Sequence, residues 1–198
     1  MSATTSDEQD ASDMARLTAG HDASLNDLMQ RHAERLFHYL IRSLQNESEA
    51  ADVAQESFVR VYQNRAKFNP RHKFSTWLYS IATNLARDQL RWRSRHPQVS
   101  LEAGSEEIGA GLKETLATSQ ATPSESMQTQ ERAAVVRQAL AALPEELRVP
   151  LILAEYEGRS QVEIASILNC SAKAVEMRIY RARQQLREKL GKSLKYFE

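Results

Sequence analysis

The stretch 160–190, SQVEIASILNCSAKAVEMRIYRARQQLREKL, restricts what the chain can become more than any other. It reads as two helices joined by a tight three-residue turn. Ser160 followed by Glu163 forms a capping box: the serine accepts a backbone N–H and the carboxylate reaches back. Val162, Ala165, Ile167 and Leu168 supply a short apolar face. Asn169-Cys170-Ser171 interrupts it, since asparagine tolerates the left-handed backbone at a helix end and Ser171 can cap the next helix. In the second helix Val175, Ile179, Ala182 and Leu186 recur as one inward stripe. Lys173, Arg178, Arg181, Arg183 and Arg187 occupy the other faces. A short helix, a small-residue turn and a basic second helix make a helix-turn-helix, whose second helix fits a major groove. On pattern alone, an ordinary helical hairpin with a solvated basic face stays open.

Charge is informative only by its distribution. The net charge is zero, yet segment 71–95 sets six arginines and lysines against Asp88 alone, a net +5. Segment 172–198 sets eight against three, again +5, while 97–131 carries a net −5. Two basic patches separated by an acidic stretch suggest two contacts with one polyanion. No apolar run approaches the roughly 18 residues of a membrane span, and the acidic, polar start MSATTSDEQDASD is no signal peptide. Together with the lone Cys170 this makes a cytoplasmic chain the expectation.

Along the chain, residues 1–12 read as low-complexity and disordered, with a short helix over 13–19 stopped by Gly20. Ser24 with Asp27 is expected to cap a long helix to about Leu44, and His32 falls on its core stripe. Ser48 is expected to cap a helix over 49–66 whose outer face is acidic, a face that is often merely solvated. A basic loop, Phe68–Lys73, precedes a third helix capped by Ser75 with Phe74 as staple. That helix interleaves Trp77 and Tyr79 with Asn84, Arg87 and Arg91. Rings stack on unpaired bases, arginines hold phosphates and an amide reads a base edge, so this face suits single-stranded nucleic acid. Burial of the aromatics with solvated arginines is the competing reading. Residues 97–131 are too polar to offset their ordering entropy and read as linker. A second domain comes next: a helix over 125–142, then one from Glu145 to Tyr156, which Pro150 should kink or restrict. The chain shows no phosphate-cradling glycine loop, no metal-spaced His or Cys set and no nucleophile elbow, so neither an enzyme nor a metal or cofactor site is expected.

Two separated stretches resemble one family. DVAQESF (52–58), FSTWLY (74–79) and IATN (81–84) resemble region 2 of bacterial sigma factors. Leu143-Pro144, Glu157-Gly158-Arg159-Ser160 and Arg181-Ala182-Arg183 resemble their region 4. The order and the acidic linker resemble the extracytoplasmic-function (ECF) subgroup. The resemblance implies an all-α fold of two small helical domains on a flexible acidic linker: a polar segment 1–23, region 2 over 24–95, linker 96–124 and region 4 over 125–198. It implies a protein that directs core RNA polymerase to promoters in a stress response. Asp52, Gln55, Glu56 and Phe58 would dock on the polymerase. Lys67, Arg71, Lys73, Trp77, Tyr79, Asn84, Arg87 and Arg91 would hold the single-stranded −10 element. Lys173, Glu176, Met177, Arg178, Tyr180 and Arg181 would meet the duplex −35 element. Glu176 departs from the basic residue of some members; a carboxylate accepts from cytosine N4 or repels phosphate. An anti-sigma factor is the subgroup's usual regulator. The alternative is a stand-alone helix-turn-helix repressor or activator, which needs no aromatic-arginine single-strand surface.

Overall fold

The computed structural model describes residues 2–96 and 133–194. Most of the expected linker and the last four residues lie outside them. The described residues form eight α-helices and one 3₁₀ turn. A first module holds α1 (Ser2–Thr18), α2 (Ser24–Leu44), α3 (Glu47–Gln63), the 3₁₀ turn Arg65–Lys67 and α4 (Phe74–Arg95). A second holds α5 (133–141), α6 (Glu145–Glu155), α7 (Gln161–Leu168) and α8 (Ala172–Leu194).

The N-terminus corrects the expectation of disorder, because a single helix runs from Ser2 to Thr18. Met14 and Leu17 are fully buried, and so, at 1% exposure, is Asp10. Arg31 of α2 explains the buried acid: it donates to Asp10 Oδ1 at 2.9 Å and also to Asp13. His32 Nε2 lies 2.8 Å from Asp10 Oδ2, with its ring against Phe74. Burial alone would lower the Arg31 pKa, but bonds to Asp13 and Asp10 outweigh it and the net direction is up. Acids that composition counts as solvent-seeking are instead drawn inside by a partner on another helix.

Three caps also differ. The α2 N-cap is Ala23, without a side-chain bond, and the buried Ser24 hydroxyl has no partner. Asn46 rather than Ser48 caps α3, its Oδ1 accepting from the Glu49 N–H at 2.9 Å. Lys73 is the N-cap of α4, which places Ser75 in the first turn with its hydroxyl free for a distant partner. Extended backbone at Asn46 and Lys73 makes each the last non-helical residue.

The helix-turn-helix matches the expected pattern. Ser160 and Glu163 make both bonds of the capping box, at 3.3 and 2.9 Å. Asn169 takes the left-handed conformation (φ 49°), and Ser171 Oγ accepts from the Ala174 N–H. Val175, Ile179 and Ala182 are buried on α6 and α7. The apolar face of α7 is shifted from expectation: Ile164, Ile167 and Leu168 are buried, whereas Val162 is 72% exposed. Pro150 sits within one helix, α6. Nearby, Arg148 is buried and donates to the carbonyls of Ala141 and Leu143, satisfying the end of α5.

The two modules touch. The buried apolar side chains of both form one continuous cluster, with α6 packed on α2 and α7 packed on α4. Helix α4 is therefore covered on two sides, by the first module and by α7.

Two substitutions measure these local terms. Ser160→Ala should cost about 1 kcal/mol in urea unfolding, the usual worth of an N-cap hydroxyl. Asp10→Ala should cost roughly 1.5–3 kcal/mol, the range for bonds to charged groups. Unchanged unfolding midpoints would contradict each.

Candidate nucleic-acid and polymerase interfaces

Helices project the expected site residues in three directions. On α3, Asp52 and Gln55 are exposed and Glu56, half-buried, accepts from Arg60 at 2.6 Å. Phe58 is 4% exposed and belongs to the core, whereas its neighbour Val59 faces outward. The docking role of Phe58 came only from the family resemblance; its place on the apolar stripe with Val61 is what the burial reflects. Beside these acids lies a groove of about 460 Å³ between α3 and α4. Glu49, Asp52, Glu56 and Asp88 line it with Val53, Leu85, Gln89, Trp92 and Arg95. Trp92 is exposed and stacks on His96 at 4.8 Å. An acidic groove with an aromatic wall receives a basic side chain by charge and cation–π attraction.

Around α4 the expected single-strand face separates into two sets. Lys67, Arg71 and Asn84 are exposed, and Arg91 is exposed beside Asp88 at 3.4 Å. Lys67 Nζ donates to Asn64 Oδ1, and the Asn69 side chain accepts from the Arg71 N–H. Trp77 is half-buried in an aromatic cluster with Phe68 (5.2 Å) and Phe74 (6.3 Å).

The second set faces the other module. Tyr79 is 1% exposed, and its hydroxyl donates to Glu157 Oε2 at 2.6 Å. Arg35 Nε donates to the same oxygen at 2.9 Å and Nη2 to the Glu157 carbonyl. Arg159 stacks over the Tyr79 ring at 4.7 Å and donates to Ser75 Oγ at 2.8 Å. Arg87 donates to Glu145 at 3.0 Å, and Lys73 Nζ lies 3.1 Å from Asp7 and 3.4 Å from Glu163. Arg42 covers the Tyr156 ring at 4.5 Å. Sequence reasoning missed Arg35, Glu145 and Arg42 altogether and saw Glu157 and Arg159 only as motif letters. No local signal announces partners 58 to 122 residues apart.

The electrostatics agree with this geometry. Burial pushes the Tyr39 phenol up to about 12, with hydrogen bonds to Thr83 and Ser43 opposing. Burial, then the Glu157 charge, pushes Tyr79 up still further. For Glu163 burial acts upward, but Ser160 hydrogen bonds and the Lys73 and Arg159 charges outweigh it, so the pKa is lowered. The Asp7 contact and the Glu163 charge raise Lys73. Exposed pairs such as Lys73–Glu163 contribute about 0–1 kcal/mol each.

The third direction is the exposed side of α8. Met177 and Tyr180 (63%) are exposed with Glu176 and Arg181. Lys173 donates to Glu176 at 2.9 Å, so the two charges offset one another on the first turns. Arg178 is half-buried against Cys170 Sγ at 3.7 Å. Arg183 turns back to Glu155 of α6.

Two helical modules, the second a helix-turn-helix with an exposed second helix, define a modular DNA-binding protein. The sigma-70 region 2 family profile matches residues 28–96, and the sigma-70 region 4 profile matches 133–186. The RNA polymerase sigma-H factor of Pseudomonas aeruginosa is 34% identical over 183 residues, 90% of this chain and 92% of the relative. The ECF sigma factor SigW of Bacillus subtilis is 32% identical over 171 residues, 86% and 91% of the two chains. Among solved structures, CnrH bound to the cytosolic domain of CnrY superimposes with a TM-score of 0.68 at 26% identity, covering 92% of this chain and 97% of that one. RpoE from Bartonella quintana shares the fold at a TM-score of 0.65 and 22% identity, covering 84% and 96%. The chain belongs to the ECF group of RNA polymerase sigma factors. It directs RNA polymerase to promoters.

The buried phenols predict a pH response. Both folded pKa values lie above the ordinary value near 10, so their contribution to stability is complete below about pH 10 and is lost as pH rises through the folded values. Absorbance titration should show two of the six tyrosines ionising only with unfolding. Six ordinary titrations would contradict the buried placement.

Proposed function

We propose that the first module docks on core RNA polymerase and captures the single-stranded −10 element, while the second reads the duplex −35 element. The observation that carries this reading is the presence in one chain of both family segments, in order, at 28–96 and 133–186. Asp52, Gln55 and Glu56, with the acidic groove and Trp92, form the polymerase-facing side. Lys67, Arg71, Lys73, Trp77, Tyr79, Asn84, Arg87 and Arg91 serve the −10 strand. Extruding a base costs a few kcal/mol of unstacking, which an amide such as Asn84 and stacked rings offset. Lys173, Glu176, Met177, Arg178, Tyr180 and Arg181 form the −35 side. The Lys173 contact screens Glu176 from phosphate and leaves its carboxylate able to accept from a cytosine N4.

The protein acts as an initiation factor without catalysis of its own. Among the described residues no helix is long and apolar enough to cross a membrane, which agrees with work beside the polymerase in the cytoplasm. CnrH, which shares much of this arrangement, was solved with the cytosolic domain of CnrY. An anti-sigma factor responding to a stress is the regulator proposed for this chain. The stand-alone repressor reading is not favoured.

Run-off transcription with purified core polymerase should depend on this chain. Operator binding by the free protein without transcription would overturn the reading. Asn84→Ala should reduce permanganate reactivity of the −10 region while core binding persists; equal loss of both would remove Asn84 from the strand. Arg181→Ala should lower promoter affinity by roughly 1–3 kcal/mol if it touches a base.

A further inference from the structure

Asp10, at 1% exposure, is a buried carboxylate that none of the three assigned surfaces uses. The helix that carries it, α1, ends at Thr18, before the region 2 match begins at residue 28. Its two oxygens have different partners. Oδ1 accepts from Arg31 Nε at 2.9 Å, and Oδ2 lies 2.8 Å from His32 Nε2. Arg31 also bonds Asp13, so the carboxylate is held from one side while it holds the imidazole on the other. The His32 ring lies 5.2 Å from that of Phe74. Phe74 is 6.3 Å from both Phe68 and Trp77, which stand 5.2 Å apart. Phe68 and Phe74 bracket the loop that carries Arg71 and Lys73. Helix α1 also reaches this segment near both ends: Thr18 Oγ1 lies 3.4 Å from the Arg65 carbonyl, and Asp7 lies 3.1 Å from Lys73 Nζ. Separate contacts from one helix thus converge on residues 65–77.

We propose that Asp10 is a positioning residue for the single-stranded −10 element. Through His32 and Phe74 it sets the Phe68–Trp77 pair and the basic loop beside it. The outer torsion of a histidine is broad, so an unbonded ring at position 32 rotates. The bond to Asp10 selects one orientation and with it the surface that Phe74 packs on. Burying a carboxylate is costly unless it is paired, and here the pairing fixes a geometry that reaches the strand-facing residues without touching DNA. Helix α1 is thereby part of the strand reader although it lies outside the family segment. The inference rests on the assignment of Lys67, Arg71, Lys73 and Trp77 to the −10 strand.

Phosphate and stacking contacts tolerate any sequence, so the probe is a dye-labelled pool of short random-sequence single-stranded oligonucleotides. The full chain assembled with core polymerase binds it, and binding by core alone is subtracted. Asp10→Ala should weaken binding about threefold or more, because only part of the population then holds the competent arrangement. Assembly with core should not change. Asp10→Asn should restore most of the loss, since its carbonyl accepts from Arg31 and its amide donates to a neutral His32. A purely structural role would leave binding by the folded chain equal in all three proteins. In free Trp92→Phe protein Trp77 is the remaining indole of two, and its quenching by iodide should rise with Asp10→Ala but not with Asp10→Asn. Unchanged oligonucleotide binding by Asp10→Ala overturns the proposal, as does an equal loss of core assembly or unchanged quenching. If circular dichroism shows that Asp10→Ala does not fold, His32→Leu, which leaves the bonds from Arg31 in place, should give the same selective loss, and no loss overturns the proposal. Lys67→Ala with Arg71→Ala separates the two failures. If that pair lowers binding and Asp10→Ala does not, only this inference falls; if neither does, the assignment of the face falls with it.

Discussion

The Glu157 carboxylate is the point through which the two modules depend on each other. Burying a carboxylate is expensive unless it is paired and hydrogen-bonded, and here Arg35 and Tyr79 both donate to it. Gly158 (φ 63°) is next in the chain, and the reversal it permits brings Arg159 over the same tyrosine ring and Ser160 to the start of α7. Four consecutive residues thus end α6, bind the first module, cover its aromatic and open the helix-turn-helix. A change at Glu157 would be felt in all four roles.

Helix α4 shows why such a contact matters to function. An aromatic-arginine helix with one exposed face would present all its rings to DNA. Glu157 in the turn after α6 and Glu145 at the start of α6 engage Tyr79 and Arg87, whereas Asn84, Lys67 and Arg71 stay exposed. The covering contacts are of two kinds, apolar in the cluster that runs between the modules and polar at Glu145, Glu157 and Glu163.

The helix-turn-helix is legible in the sequence because its determinants are local. A capping box, an asparagine at the turn and a stripe repeating every helical turn act within a few residues, and all three appear where expected. The caps of α2, α3 and α4 fall one or two residues from their expected places: at α3 backbone conformation chooses Asn46 over the nearby Ser48, and α2 and α4 start at Ala23 and Lys73 with no side-chain cap bond at all. Phe58 lies on the apolar stripe of its helix and is buried as that stripe requires; only the family motif made it a docking residue. Its place in a family motif does not say which way the side chain points, and helical phase sends it inward.

What the chain determined by itself is its helices, their order, its two basic patches and the family to which its motifs belong. These come from periodicity and short-range chemistry. The helical N-terminus, the burial of Asp10 and the pairing of Glu145, Glu157 and Glu163 with the first module were decided only by the tertiary structure. Each depends on a charge being met by a partner far along the chain: Arg31 for Asp10, Arg35 for Glu157. Sequence spacing carries no information about such encounters, and a carboxylate looks solvent-seeking until the fold brings a cation to it.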